Sequence, residues 1–190
     1  MIGIGAALAL TILIVLQSFI GSGLFGARTV TVVTTSDDYK FEQVSNAYAN
    51  HLAQFTTRSI PAIVSGYESN ATVEWTGLTP GKTGNSPGIA GNYSGSASIT
   101  ILTGEFIARL VNFSLSNENE VLGAGSNGSV VVNSTLDFRG YDPVGGRING
   151  TIIAQDVYEA VGNSSSSLWL IARETWNFTQ FQGQFPLVSA

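Results

Sequence analysis

The 190-residue chain has no cysteine, one histidine and one methionine. Without cysteine the fold uses no disulfide and offers no thiolate to a metal or a substrate. The lone His51 has no second histidine and no cysteine with which to build a soft-metal site, and reads as a surface or interface residue. Charge is scarce too. Asp, Glu, Lys and Arg make up 11% of the chain, against about 25% in ordinary soluble domains. The eight basic residues are scattered singly from Arg28 to Arg173, and the net charge is -5. No basic cluster exists to neutralise phosphates, which argues against nucleic acid as a partner. Met1 to Ala27 contain no charged side chain at all. A secretory signal would carry positive charge ahead of its apolar core, whereas here the first charge, Arg28, follows it. Disorder is excluded by the 44% apolar content.

Ile2 to Phe25 form an apolar run long enough to cross a bilayer as a helix, which takes about 20 residues. Its glycines suit close helix–helix approach. Within it Ile4, Leu8, Ile12, Ile14, Leu16, Phe19 and Ile20 are the expected contacts between copies of the helix. Arg28 to Thr35 is β-branched and ambiguous between strand and helix. Thr35 or Ser36, followed by Asp37 and Asp38, reads as a helix cap with acidic residues in the first turn. Phe41, Val44, Tyr48, Leu52 and Phe55 then recur at three- and four-residue spacing, predicting an amphipathic helix over 37–57 that ends before Pro61. This gives an N-terminal helical part over 1–60 and a second part over 67–190.

The second part reads as strands at Ala71–Thr76, Ser96–Thr103, Glu105–Leu115, Gly128–Phe138, Arg147–Ala154 and Ser167–Phe178, separated by turn signals such as Asn127-Gly128 and Asp142-Pro143. Ala154 to Val161 reads as a short helix or a turn. The fold class expected is α+β: a long N-terminal apolar helix followed by an antiparallel β-sandwich. Asn-x-Ser/Thr occurs at Asn70, Asn92, Asn112, Asn127, Asn133, Asn149, Asn163 and Asn177. A chain of this composition would show roughly two or three by chance, so the region after residue 69 reads as an N-glycosylated exterior.

Signals for chemistry are weak. Gly77 to Thr83 fails the phosphate-loop spacing, because the required glycine falls on Thr76. Gly123-Ala-Gly-Ser-Asn-Gly128 matches a dinucleotide fingerprint in letters, but a β-branched run follows it, so it reads as a hairpin turn. Glu118 and Glu120 fall in a polar stretch and read as solvated. Asp37 and Asp38 are explained by capping. No serine sits in a Gly-x-Ser-x-Gly elbow. Trp75, Trp169, Trp176, Phe106, Phe113 and Phe138 read as sheet-packing residues. Neither a catalytic set nor a cofactor is expected, so the chain reads as a non-enzyme.

An uncharged N-terminal helix, an amphipathic continuation and a β-rich, sequon-dense remainder resemble archaeal type IV pilin-like filament subunits, the class of adhesive pilins and archaeal flagellins. Residues 2–57 carry the resemblance. It implies a structural subunit that enters the membrane before assembly, then polymerises with itself through its apolar helix into an extracellular filament with glycosylated β domains outward. Two other readings stay open: a thread filament linked by donor strands, in which Thr29 to Thr35 fills a neighbour's groove, and a membrane-anchored surface glycoprotein.

Overall fold

The computed structural model describes residues 30–32, 38–77, 90–162 and 168–183. The apolar run and its expected contacts Ile4, Leu8, Ile12, Ile14, Leu16, Phe19 and Ile20 lie outside the described residues, as does Asn163.

The described strands form one mixed sheet, not a sandwich. In chain order the elements are β1 (Val30–Val32), α1 (Asp38–Thr57), α2 (Ile60–Ser65), β2 (Tyr67–Thr76), β3 (Gly91–Ser94), α3 (Gly95–Arg109), β4 (Val111–Ala124), β5 (Val130–Tyr141), β6 (Arg147–Val161) and β7 (Leu168–Gln182). The sheet order is β1-β4-β5-β6-β7-β2-β3. β4 to β7 form an antiparallel meander. β1 pairs parallel to β4, and β2 pairs parallel to β7. The helices pack on one face of this sheet, so a single core lies between them and its concave side. A sandwich would bury a second sheet where the helices lie. Here α1 buries Phe41, Val44, Tyr48, Leu52 and Phe55 against its own sheet, which takes that face away from any neighbouring subunit.

Ser96–Thr103 and the first half of Glu105–Leu115 are helix α3, where strands were expected. The β-branched residues there suggest a strand by propensity. The residues it buries, however, are Ile99, Leu102, Thr103, Phe106 and Arg109, a spacing of three and four. Tertiary burial of that stripe overrides the local preference. Ala154–Val161 continues β6 and does not form a helix or turn. The segment around Arg28–Ser36 contributes β1, hydrogen-bonded within its own chain through Val30–Val32 and Glu120–Leu122.

Period-2 burial sets the inner face. β5 turns Val130, Val132, Ser134, Leu136 and Phe138 inward, and β6 turns Ile148, Ile152, Ala154, Asp156 and Tyr158 inward. β7 changes parity. Trp169 and Ile171 are buried, then Glu174, Trp176 and Phe178. The pairing shows why: Tyr158 faces Ile171 and Val157 faces Arg173, so Ala172 is an extra residue, a β-bulge. Without that bulge Arg173, Thr175 and Asn177 would point into the core. Gly150 lies opposite Phe138 on β6, and a Cβ there would come within 2.8 Å of the Phe138 ring. The sheet can close over that ring only because the side chain is absent.

Candidate active site

The concave face divides into an aromatic half and a polar half. In the aromatic half Trp75 and Trp176 stack with ring centroids 5.1 Å apart. Phe106, Phe113, Phe138 and Phe178 fill the space around them in edge-on and tilted contacts. Phe55 of α1 closes the cluster at 5.2 Å from Trp176.

The polar half gathers side chains from α1 and five strands. Cross-strand register places Asp156 of β6 directly beside Glu174 of β7, with Val132 of β5 on its other side. The next inward row runs Glu120, Ser134, Ala154, Trp176 and Trp75. Glu120, Asp156 and Glu174 are each 0% exposed. Glu174 is the hub. Its Oε1 accepts from Trp75 Nε1 at 2.7 Å, and its Oε2 accepts from the Tyr67 hydroxyl at 2.7 Å. His51 Nε2 lies 3.4 Å from the same Oε2 and 3.2 Å from the Tyr67 oxygen. Since Tyr67 gives its proton to Glu174, its oxygen is left to accept, which makes Nε2 the protonated nitrogen of His51. In the neutral ring the lone pair is then on Nδ1, which is buried and has no hydrogen-bond partner among the described residues. Gly66 leaves room beside it: a Cβ at that position would stand 3.0 Å from Nδ1.

Around this hub Tyr48 hydrogen-bonds Ser134, and Asn117 donates to Glu120 Oε2 at 2.7 Å. Neither oxygen of Asp156 nor the Tyr158 hydroxyl has a hydrogen-bond partner among the described residues. The Trp176 indole N–H leans toward Asp156 without closing a bond of ordinary geometry. Burial pushes the Asp156 carboxyl well up, and the neighbouring Glu174 charge adds to that push. Asp156 therefore holds its proton more tightly than a free carboxyl does. Burial also raises Tyr67, with Glu174 adding, and raises Tyr48 and Tyr158, with Asp156 adding.

The structure moves two residues from where the sequence put them. His51 is 2% exposed and sits at the centre of the core, not on the surface. Glu120, expected in a solvated stretch, is inward on β4, while Glu118 is exposed. Glu174, Asp156, Tyr48, Tyr67 and Tyr158 were missed altogether. The one signal was on β7, where a carboxylate stands among Trp169, Ile171, Trp176 and Phe178. Of the sequon asparagines, Asn70, Asn92, Asn112, Asn127, Asn133 and Asn177 are exposed, and Asn149 is half-buried. None joins the polar cluster. No group of three or more His, Asp or Glu with metal-holding geometry occurs among the described residues.

No protein-family model and no curated protein matches the chain. Solved structures do. A hexachlorocyclohexane dehydrochlorinase, LinA-type3 from Novosphingobium barchaimii, superposes with TM-score 0.61 over 80% of this chain and 92% of its own, at 16% identity. A ketosteroid isomerase-like protein from Erwinia carotovora atroseptica does so with TM-score 0.58 over 75% and 98%, at 12% identity. A Caulobacter vibrioides protein with a cystatin-like fold gives 0.56 over 74% and 89%, at 9% identity. The fold is cystatin-like. This overturns the type IV pilin resemblance, because a cystatin-like unit keeps the amphipathic helix inside its own curved sheet and has none of it to spare for a filament. The filament function and the cell-surface location that depended on the resemblance fall with it. No described helix is long and apolar enough to cross a membrane. Neighbours in this fold include enzymes, the dehydrochlorinase among them.

Proposed function

We propose that the polar half of the concave face is an acid–base site that takes a small, uncharged organic molecule and moves a proton on it. The observation that carries this reading is the pairing of two unsatisfied groups of opposite use. His51 Nδ1 is a buried ring nitrogen and Asp156 a buried carboxyl whose pKa burial raises, and neither has a hydrogen-bond partner among the described residues. Buried polar groups left unpaired cost about 1–3 kcal/mol each. A core selected only for stability would replace them with apolar side chains. Perturbed ionisable groups that gather in one place mark candidate functional sites.

The roles follow from the geometry. Glu174 holds the Nε2–H tautomer of His51 by way of Tyr67, leaving Nδ1 as the base. Asp156 and Tyr158 are donors that would stabilise negative charge developing on an oxygen or a departing halide. Trp75 and Trp176 form the apolar wall against which a hydrocarbon body would lie. The dehydrochlorinase removes hydrogen and chloride from a carbon skeleton in the same fold, which supports proton abstraction at carbon as the reaction class.

Small cyclic ketones and halogenated hydrocarbons, incubated with the protein in deuterium oxide, provide the test. Carbon-bound hydrogen should exchange in, or halide leave, at least one of them. The same compound should quench Trp75 and Trp176 fluorescence, and His51→Gln should abolish the exchange while keeping the fold. A panel in which nothing binds and nothing exchanges would remove the proposal. A second reading, a packed scaffold with no substrate, is favoured by the way seven aromatic rings fill the other half of the same face.

A further inference from the structure

The convex side of the sheet carries a pattern independent of the interior. Two neighbouring rows of outward residues cross it. One runs Val121, Asn133, Gln155, Thr175, Glu74 and Asn92, and the other Asn119, Thr135, Ile153, Asn177 and Thr76. Glu74 is the only charged residue in either row. Three sequon asparagines, Asn92, Asn133 and Asn177, therefore come together in two rows that carry a single charge, although they are far apart along the chain.

We propose that this convex face is glycan-bearing, modified at the side-chain nitrogens of Asn92, Asn133 and Asn177. The local geometry separates these positions from other sequons. Each asparagine is exposed. Its hydroxyl partner two residues on, Ser94, Thr135 or Thr179, shares the outward face because side chains alternate along a strand; the Thr179 hydroxyl also donates to the Thr151 carbonyl at 3.3 Å, but unlike Ser129 it is only part-buried. Asn133 uses its oxygen, accepting from Gln155 Nε2 at 2.9 Å, and Asn177 uses its oxygen, accepting from Thr76 Oγ1 at 3.2 Å. Neither bond occupies the nitrogen that a glycan takes. Asn149 is different: it is half-buried and spends that nitrogen on Gln182 Oε1 at 3.4 Å. Asn127 sits in the β4–β5 turn with φ 55°, and the hydroxyl of its sequon, Ser129, is buried and donates to the Ser126 carbonyl.

The transfer needs a lipid-phosphate-linked oligosaccharide and its transferase. The asparagine nitrogen attacks C1 of the first sugar, and the N–C1 bond forms as the C1–O bond to phosphate breaks. The N–H proton passes to a base of the transferase, and the lipid phosphate leaves. The consequence is mechanical. Two rows of an open sheet with a single charge between them are a place where a second sheet could stack, and a hydrated oligosaccharide at three points of the rows blocks that approach.

Glycopeptide mass spectrometry of the full chain, purified from the cells that make it, is the experiment. Asn92, Asn133 and Asn177 are expected to be modified in most molecules, and Asn127 and Asn149 in a small minority. Asn133→Gln should remove one glycan mass and leave the circular dichroism spectrum unchanged. The proposal is overturned if the three convex-face asparagines are bare, or if Asn127 and Asn149 are occupied as heavily as they are.

Discussion

The two halves of the concave face are built by the same strands and solve burial in opposite ways. The aromatic half leaves one polar group unmet, the Trp176 indole N–H. Its rings fill space, and the Trp75 indole nitrogen is spent on Glu174. The polar half does not satisfy itself, since Asp156, Tyr158 and His51 Nδ1 all carry unmet hydrogen-bonding capacity. The contrast teaches that one sheet can hold a rigid wall and an energetically costly cluster side by side, and that the wall keeps water from relaxing the cluster. Glu174 is the hinge between them, because one of its oxygens binds the wall and the other the cluster.

The comparison is most directly broken from the aromatic side. Trp75→Ala should cost about 3–5 kcal/mol of stability, as large-to-small core changes do. Urea unfolding measures it, and a loss below about 1 kcal/mol would mean that the stacked pair is not the wall described. Next in size is the hinge. Glu174→Ala leaves Tyr67 and Trp75 without their acceptor and should cost about 3 kcal/mol. Glu174→Gln should cost clearly less, since the amide oxygen still accepts from the Trp75 indole and the amide N–H can donate to the Tyr67 oxygen. If the two variants unfold alike, the hydrogen bonds to Glu174 are not what holds the halves together.

A smaller effect of opposite sign is expected at Asp156. A carboxyl whose folded-state pKa stands above its unfolded value of 3.8 holds its proton more tightly when folded. Its contribution to stability is thus full below 3.8 and is lost as pH rises through the raised value. Asp156→Asn keeps the neutral shape and removes that loss. The variant should be the more stable of the two at neutral pH and show the flatter dependence on pH. Unfolding midpoints measured from pH 4 to pH 8 decide it, and parallel curves would show that Asp156 does not titrate as described. The smallest effect belongs to the convex face, where Gln155→Ala should stay within about 0.5 kcal/mol.

Legibility from sequence followed periodicity. The spacing of Phe41, Val44, Tyr48, Leu52 and Phe55 is the face that α1 buries, and the alternation of β5 is plain in its letters. What the letters do not contain is which layer receives that face. An amphipathic helix looks the same whether its own sheet or a neighbour covers it, and the apolar run ahead of it pulled the reading toward a neighbour. Ser96–Thr103 failed because β-branched residues outvoted a stripe that becomes visible only when Phe106 and Arg109 are counted with it. The site was hidden for a different reason. Two of its bonded members, Tyr67 and Glu174, are 107 residues apart, and the Ala172 bulge that turns Glu174 inward leaves no mark in composition. A lone histidine looks unpartnered in a list of residues. In space its partners are a tyrosine and a carboxylate, which no spacing rule connects to it.

The pairing of β2 with β7 also governs when this chain can fold. Trp75 meets Glu174 across 99 positions, and β7 supplies the strand between β6 and β2. During synthesis β2 is made early, yet its parallel partner is nearly the last strand to emerge. Until then the inner face has no Glu174 and no Trp176, and the sheet cannot close over α1. Contacts this distant fold slowly, because the loop between them must be closed before any pairing is gained. The unit thus assembles only once β7 has been made.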